Sequence, residues 1–93
     1  MKLIFDNRVF KSKKECLSFY RNILKSARMN EELTGSNLET MQRHFNHHPN
    51  QTKRNTWSPE KKIRVGMGIY RERQFQFLRC DGTWEGFSYK API

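Results

Sequence analysis

The 93-residue chain reads as one small α+β domain: an antiparallel sheet of about four strands, in the order β-α-α-β-β-β, with two helices packed on one face. Three observations predict this. Asp81-Gly82 stands between two runs rich in aromatic and β-forming residues, a strong hairpin signal. Apolar residues alternate with period two from Ile63 onward. Two Ser-x-x-Glu boxes each precede a stripe of apolar residues at helical spacing.

At the start, Leu3, Phe5, Val9 and Phe10 alternate loosely around Asp6-Asn7, which reads as a short strand or a small hairpin turning near Asp6-Asn7. Ser12-Lys13-Lys14-Glu15 is a capping box, in which hydroxyl and carboxylate satisfy orphan amides at a helix start. Behind it Cys16, Leu17, Tyr20, Ile23, Leu24 and Ala27 fall on one stripe, so a helix is predicted over Lys13 to Arg28. Ser36-Asn37-Leu38-Glu39 opens a second, shorter helix with Leu38, Met41 and Phe45 on its stripe. Pro49 disfavours helical angles at His48, so that helix ends near His47.

Pro49 to Pro59 shows no periodic apolar face and reads as an exposed loop. Ile63, Val65, Met67 and Ile69 then alternate with Arg64, Gly66, Gly68 and Tyr70, as in a half-buried strand. The two glycines mark a bulge or the close approach of another backbone. Tyr70 to Arg73 turns the chain into the final hairpin. A two-residue I′ turn at Asp81-Gly82 sets Arg79 opposite Trp84 and Phe77 opposite Gly86. Phe75, Phe77 and Trp84 then share one side, and Leu78, Phe87 and Tyr89 the other. Residues 1–93 form a single domain, without repeats or linkers.

Lys and Arg number 18 against 9 Asp and Glu, a net charge of +9. That balance favours polyanionic partners, nucleic acid first, then an anionic membrane surface or an acidic protein patch. No apolar run approaches the ~20 residues of a membrane span, and the charged start leaves no room for a secretory signal. Two distant cysteines, Cys16 and Cys80, suit a reducing compartment, so the expected location is cytoplasmic.

Catalytic layouts are missing. His44, His47 and His48 form the one cluster with metal-like chemistry, but no cysteine or second histidine group stands near to complete a zinc tetrahedron. His44 and His48 lie four apart without the glutamate of a metalloprotease helix. The likeness of HFNHHPN to an HNH nuclease motif is superficial, because these histidines close a helix. The structural reading is helix-end histidines that interact well with the dipole; the functional one is phosphate or base contact, with His47 the candidate. No phosphate-cradling loop is present, Glu15 and Glu39 serve as caps, and no cofactor or metal is implied.

The basic residues say more. Lys53, Arg54, Lys61, Lys62, Arg64, Arg71, Arg73 and Arg79 face only Glu60 and Glu72, and supply six of the nine net charges. Trp57, Tyr70, Phe75, Phe77 and Trp84 are interleaved with them. Cations that follow a phosphate backbone beside rings that stack bases describe a surface for RNA or single strands. The bland alternative is that a small sheet needs aromatics in its core and charges on its solvent face. Phe75, Phe77 and Phe87 are assigned to the core, Trp57 to an exposed contact, and Trp84 to either. Arg79 opposite Trp84 also fits a cation–π pair that fixes the ribbon.

Phe77 to Lys90, FLRCDGTWEGFSYK, resembles the end of the DCL-like (defective chloroplasts and leaves) domain, where Arg-x-Asp-Gly-Ser/Thr precedes Asp-Phe-Ser-Tyr and a basic residue. Phe10 to Glu15 is similar to the entry to that domain's first helix, and Arg43, His47-His48-Pro49 and Lys53 to the stretch after its second. The family's Lys-Gly-x-Gly loop is replaced here by Lys53 to Trp57, and its basic-Cys-Ile ending by Lys90 to Ile93. The resemblance implies a small α+β module connected with RNA, as in plastid ribosomal RNA processing and in plant-specific RNA polymerase subunits. Stand-alone bacterial and phage copies also occur, and no catalytic residues are implied.

The expected function is therefore a non-enzymatic nucleic-acid-binding module for RNA or single strands. Its contacts would be Lys53, Arg54, Trp57, Lys61, Lys62, Arg64, Arg71, Arg73, Arg79, Trp84 and His47. The alternative is a small phage-type factor that binds an acidic surface of a host enzyme such as RNA polymerase or a nuclease complex. A histidine-dependent nuclease is the third reading.

Overall fold

The computed structural model describes residues 3–6 and 8–93. Its elements run β1 (Leu3–Phe5), β2 (Arg8–Phe10), α1 (Lys13–Ser26), α2 (Gly35–Asn46), α3 (Gln51–Asn55), β3 (Ile63–Met67), β4 (Arg73–Leu78) and β5 (Trp84–Phe87). The fold is α+β and its strand pairs are antiparallel. Where one sheet is expected, the strands divide into a β1-β2 hairpin and a three-stranded β3-β4-β5 sheet. Asp6 takes a φ of 52° at the turn of the first hairpin; Asn7 lies outside the described residues.

Ser12 caps α1, its hydroxyl accepting the amide of Glu15 at 3.3 Å, and Cys16, Tyr20, Ile23 and Leu24 are buried. The second box does not form. The chain enters α2 at Thr34, which makes no side-chain cap, and Gly35 just inside has a φ of 61°. Pro49 ends α2 as expected, but the loop after it holds one further turn of helix, α3. Asn50 accepts the Lys53 amide there at 3.2 Å, a cap signal hidden among the breakers.

The core lies between the helices and one side of the larger sheet. Ile63, Val65, Phe75, Phe77 and Phe87 point to it, and Phe45 of α2 stacks on Phe77 with ring centroids 4.6 Å apart. On the other flank of the helices, Phe5 of β1 meets the rings of Tyr20, His44 and His47, while Arg43 pairs with Asp6 at 3.2 Å. The first hairpin is thereby fastened to both long helices.

The last hairpin departs from the expected register. The Gly82 amide donates to the Arg79 carbonyl at 3.0 Å, and the Arg79 amide to the Thr83 carbonyl at 2.7 Å. The loop therefore has three residues, Cys80-Asp81-Gly82, with Gly82 left-handed at a φ of 86°. Leu78 pairs with Trp84, Phe77 with Glu85 and Phe75 with Phe87. One residue of slip exchanges faces throughout β5: Phe87 joins Phe75 and Phe77 in the core, and Trp84 turns to the opposite side.

Candidate nucleic-acid interface

The side of the larger sheet turned from the core carries Arg64, Gln74, Gln76 and Trp84 by strand alternation. The Arg64 guanidinium lies over the Trp84 ring, 4.4 Å from its centroid, and its Nε donates to Gln76 Oε1 at 2.8 Å. Trp84 is half-buried, so one ring is both fixed and reachable. Gly66 and Gly86 stand beside the two glutamines, and a Cβ at either would overlap the amide group of Gln76 or Gln74. The glycines at these strand positions thus let the two amides lie against the backbone. Gly66 is a close-approach glycine, although what approaches it is a side chain.

The eight cations do not gather on one strip. Lys62 pairs with Glu60 at 3.2 Å and Glu32 at 3.5 Å. Arg79 lies on the core-side alternation, 3.4 Å from Glu85, and is not the partner of Trp84. Arg73 reaches the end of α1, where its Nη1 donates to the carbonyls of Ala27 at 2.5 Å and Leu24 at 3.4 Å. It is a helix C-terminal cap. Lys61 sits over Trp57 at 4.6 Å, and Arg71 is exposed at the β3–β4 turn. Arg54 is half-buried, its Nε without a hydrogen-bond partner among the described residues.

Trp57 is not an exposed contact. It is 5% exposed, edge-on to Phe45 with centroids 4.7 Å apart, and its Nε1 donates to the Lys62 carbonyl at 3.3 Å. The turn of α3 brings it inward, and an antiparallel bridge to Arg79 holds its backbone against the end of β4.

The three histidines occupy three environments. His47 is exposed at the end of α2, against Phe5. His48 is buried, and its Nδ1 accepts the Asn50 amide at 3.1 Å. His44 is fully buried, stacked 4.0 Å from Tyr20, with Nε2 2.6 Å from the Tyr89 carbonyl. A carbonyl only accepts, so Nε2 carries the proton and Nδ1 is bare; burial pushes its pKa down to about 4. Among the described residues no three His, Cys, Asp or Glu side chains converge as metal ligands.

The structure adds residues that sequence reasoning missed. Gln74 and Gln76 interrupt the Phe75–Phe77 alternation, and that period-two pattern was the available signal. Ser88, Tyr89 and Lys90 line a groove of about 410 Å³ with Lys53, Arg73 and Gln74, where β4 begins and β5 ends.

Residues 21–93 match the model of a family described as "Protein of unknown function (DUF3223)". The chain belongs to that family. The DUF3223 match starts within α1 and includes α2, α3, the three-stranded sheet and the groove. An uncharacterized protein from Rhodospirillum rubrum, solved by solution NMR, has a similar fold, with a TM-score of 0.77 at 24% identity over 98% of this chain and 86% of that one. No curated protein matches the chain. Among the described residues no helix is long and apolar enough to cross a membrane.

Proposed function

We propose that this DUF3223 protein is a non-enzymatic nucleic-acid-binding module that prefers RNA or single strands. The observation that supports it is the Arg64–Trp84 pair on the sheet side away from the core, beside Gln74 and Gln76. Indole rings and guanidinium planes both stack bases, and the half-buried Gln74 amide suits a base edge, whereas Gln76 is buried and serves to hold Arg64. A net charge of +9 draws a polyanion to the protein at long range. Lys61, Arg64, Arg71 and Lys90 are the cations proposed to meet phosphates, and no residue is given a catalytic role. The resemblance to DCL-like domains favours the same reading, and two free cysteines, Cys16 and Cys80, suit a cytoplasmic setting. The test is fluorescence anisotropy of a labelled single-stranded RNA with wild type, Arg64→Ala and Trp84→Ala. Each variant should bind more weakly, and wild-type affinity for both variants would remove the reading.

A separate observation favours a second reading, a small factor that docks on an acidic surface of a host enzyme such as RNA polymerase. Ile69 and Tyr70 are 88% and 84% exposed at the β3–β4 turn, next to exposed Met67 and Arg71. An apolar tip with one cation suits a protein pocket with an acidic rim. Capture from lysate with and without nuclease separates the readings, since a protein partner survives nuclease. Loss of every partner on nuclease treatment would leave only the first.

A further inference from the structure

A groove opens where β4 begins and β5 ends. Its volume of about 410 Å³ suits a small ligand, and no carboxylate is among the residues that line it. Lys53, Arg73 and Lys90 all border it. Two of these cations are held in place: the Lys53 Nζ donates to the Gly86 carbonyl at 2.9 Å and lies 3.7 Å from Glu85, and Arg73 is fixed on the end of α1. Lys90 is exposed, and its amide donates to the Ser88 hydroxyl at 3.2 Å within the turn that carries it.

Tyr89 lines the groove, its backbone held at one point and its ring at two, and the Lys90 Nζ lies over the ring, 6.0 Å from its centroid. Its hydroxyl accepts from Arg21 Nε at 3.4 Å, its carbonyl accepts from His44 at 2.6 Å, and Phe75 meets its ring edge-on with centroids 6.0 Å apart. These contacts restrain the ring before any ligand arrives, which lowers the entropy cost of stacking on it.

The geometry points to a nucleoside monophosphate as the ligand, its base on Tyr89 and its phosphate towards Lys90, with Arg73 adding charge. The ligand would come either as a free nucleotide or as the phosphorylated end of a strand, and the second source rests on the function proposed above. Ser88 and Gln74 offer hydrogen bonds to the sugar or base.

The experiment follows backbone amides by NMR while adenosine monophosphate is added to about 10 mM, with inorganic phosphate as a second probe. Saturable shifts at Gln74, Ser88, Tyr89 and Lys90, larger for the nucleotide than for phosphate, are expected. Lys90→Ala and Tyr89→Leu should each weaken binding about fivefold or more, with the melting temperature of Lys90→Ala unchanged. Groove amides that stay still, or that move equally with phosphate alone, overturn the proposal. Short oligonucleotides with a 5′-phosphate or a 5′-hydroxyl then identify the source: tighter binding of the phosphorylated strand assigns the strand end, and equal binding assigns the free nucleotide. Strands that bind while the nucleotide shifts nothing sink the groove proposal alone. Nucleotide shifts without any strand binding keep the groove and sink the nucleic-acid reading.

Discussion

Arg64 and Trp84 stand on the two outer strands of the β3-β4-β5 sheet and meet across β4, guanidinium over indole at 4.4 Å. Gln76 lies between them in the sheet, paired in register with Arg64, and accepts the Arg64 Nε. A long cation is thus held over a ring by a second contact. Such an arrangement contributes about 0.5–1 kcal/mol at a part-exposed site, enough to organise the surface but not to decide whether the domain folds.

The two tryptophans should therefore separate in mutagenesis. Trp57→Ala removes a buried ring that packs on Phe45, and should cost about 3–5 kcal/mol in urea unfolding. Trp84→Ala should cost much less stability but weaken strand binding about tenfold, in line with ~1–3 kcal/mol for a stacked base. A Trp84→Ala protein that unfolds as readily as Trp57→Ala would show Trp84 to be a core residue.

The β3–β4 and β4–β5 turns share one geometry. In each the closing pair shares one bond and the third loop residue donates a second: Gly68 amide to Glu72 carbonyl at 2.7 Å and Arg71 amide to Gly68 carbonyl at 3.1 Å match those of the Arg79–Thr83 loop. The third loop residue is left-handed in both, Gly82 in one and Arg71, with a φ of 61°, in the other. An L-residue there costs roughly 1 kcal/mol. Arg71→Gly should therefore raise stability by up to about 1 kcal/mol, and Gly82→Ala should lower it by a similar amount. Paired chemical denaturation curves check both signs.

Acid should loosen the domain through His44. Its pKa is about 4 in the folded chain against an ordinary 6.5, because burial disfavours the imidazolium; His47 and His48 add repulsion, while the bond to the Tyr89 carbonyl and the Asp6 charge oppose the shift. Between those values the unfolded chain takes up a proton that the folded chain refuses, so stability falls as pH drops from about 6.5 to about 4 and levels off below. The full effect is about 3 kcal/mol. Urea titrations at successive pH values should show this slope, and His44→Gln, which can still donate to the Tyr89 carbonyl, should remove most of it. An unchanged slope in the variant would assign the acid sensitivity to His48, whose pKa burial and the nearby Lys53 and Arg54 also push down, or to carboxylates.

Much of this was readable in the chain. Ser12-x-x-Glu15 and the stripe behind it predict α1 because cap and amphipathic face agree, and Pro49 marks the end of α2 correctly. The faces of the last hairpin were not readable. Asp81-Gly82 suits both a two-residue turn and a three-residue loop with glycine last, and a single residue of slip moves Trp84 out of the core side and Phe87 into it. The cations were legible as a composition but not as a surface. Nothing in local sequence shows that Arg73 reaches the end of α1, 46 residues away, or that Lys62 and Arg79 are taken by carboxylates. Long-range pairing of this kind is set by packing, and so is the burial of Trp57 by a helical turn inside a breaker-rich stretch.

The most direct test is the salt dependence of single-stranded RNA binding, measured for wild type and Trp84→Ala together. Contact with about four to six phosphates gives a log–log slope of roughly −3 to −4. The expected result is that slope in both proteins, with the Trp84→Ala line lying below and parallel, since the ring stacks and the cations carry the salt effect. Affinity that stays flat with salt, or two lines that coincide, would contradict the account.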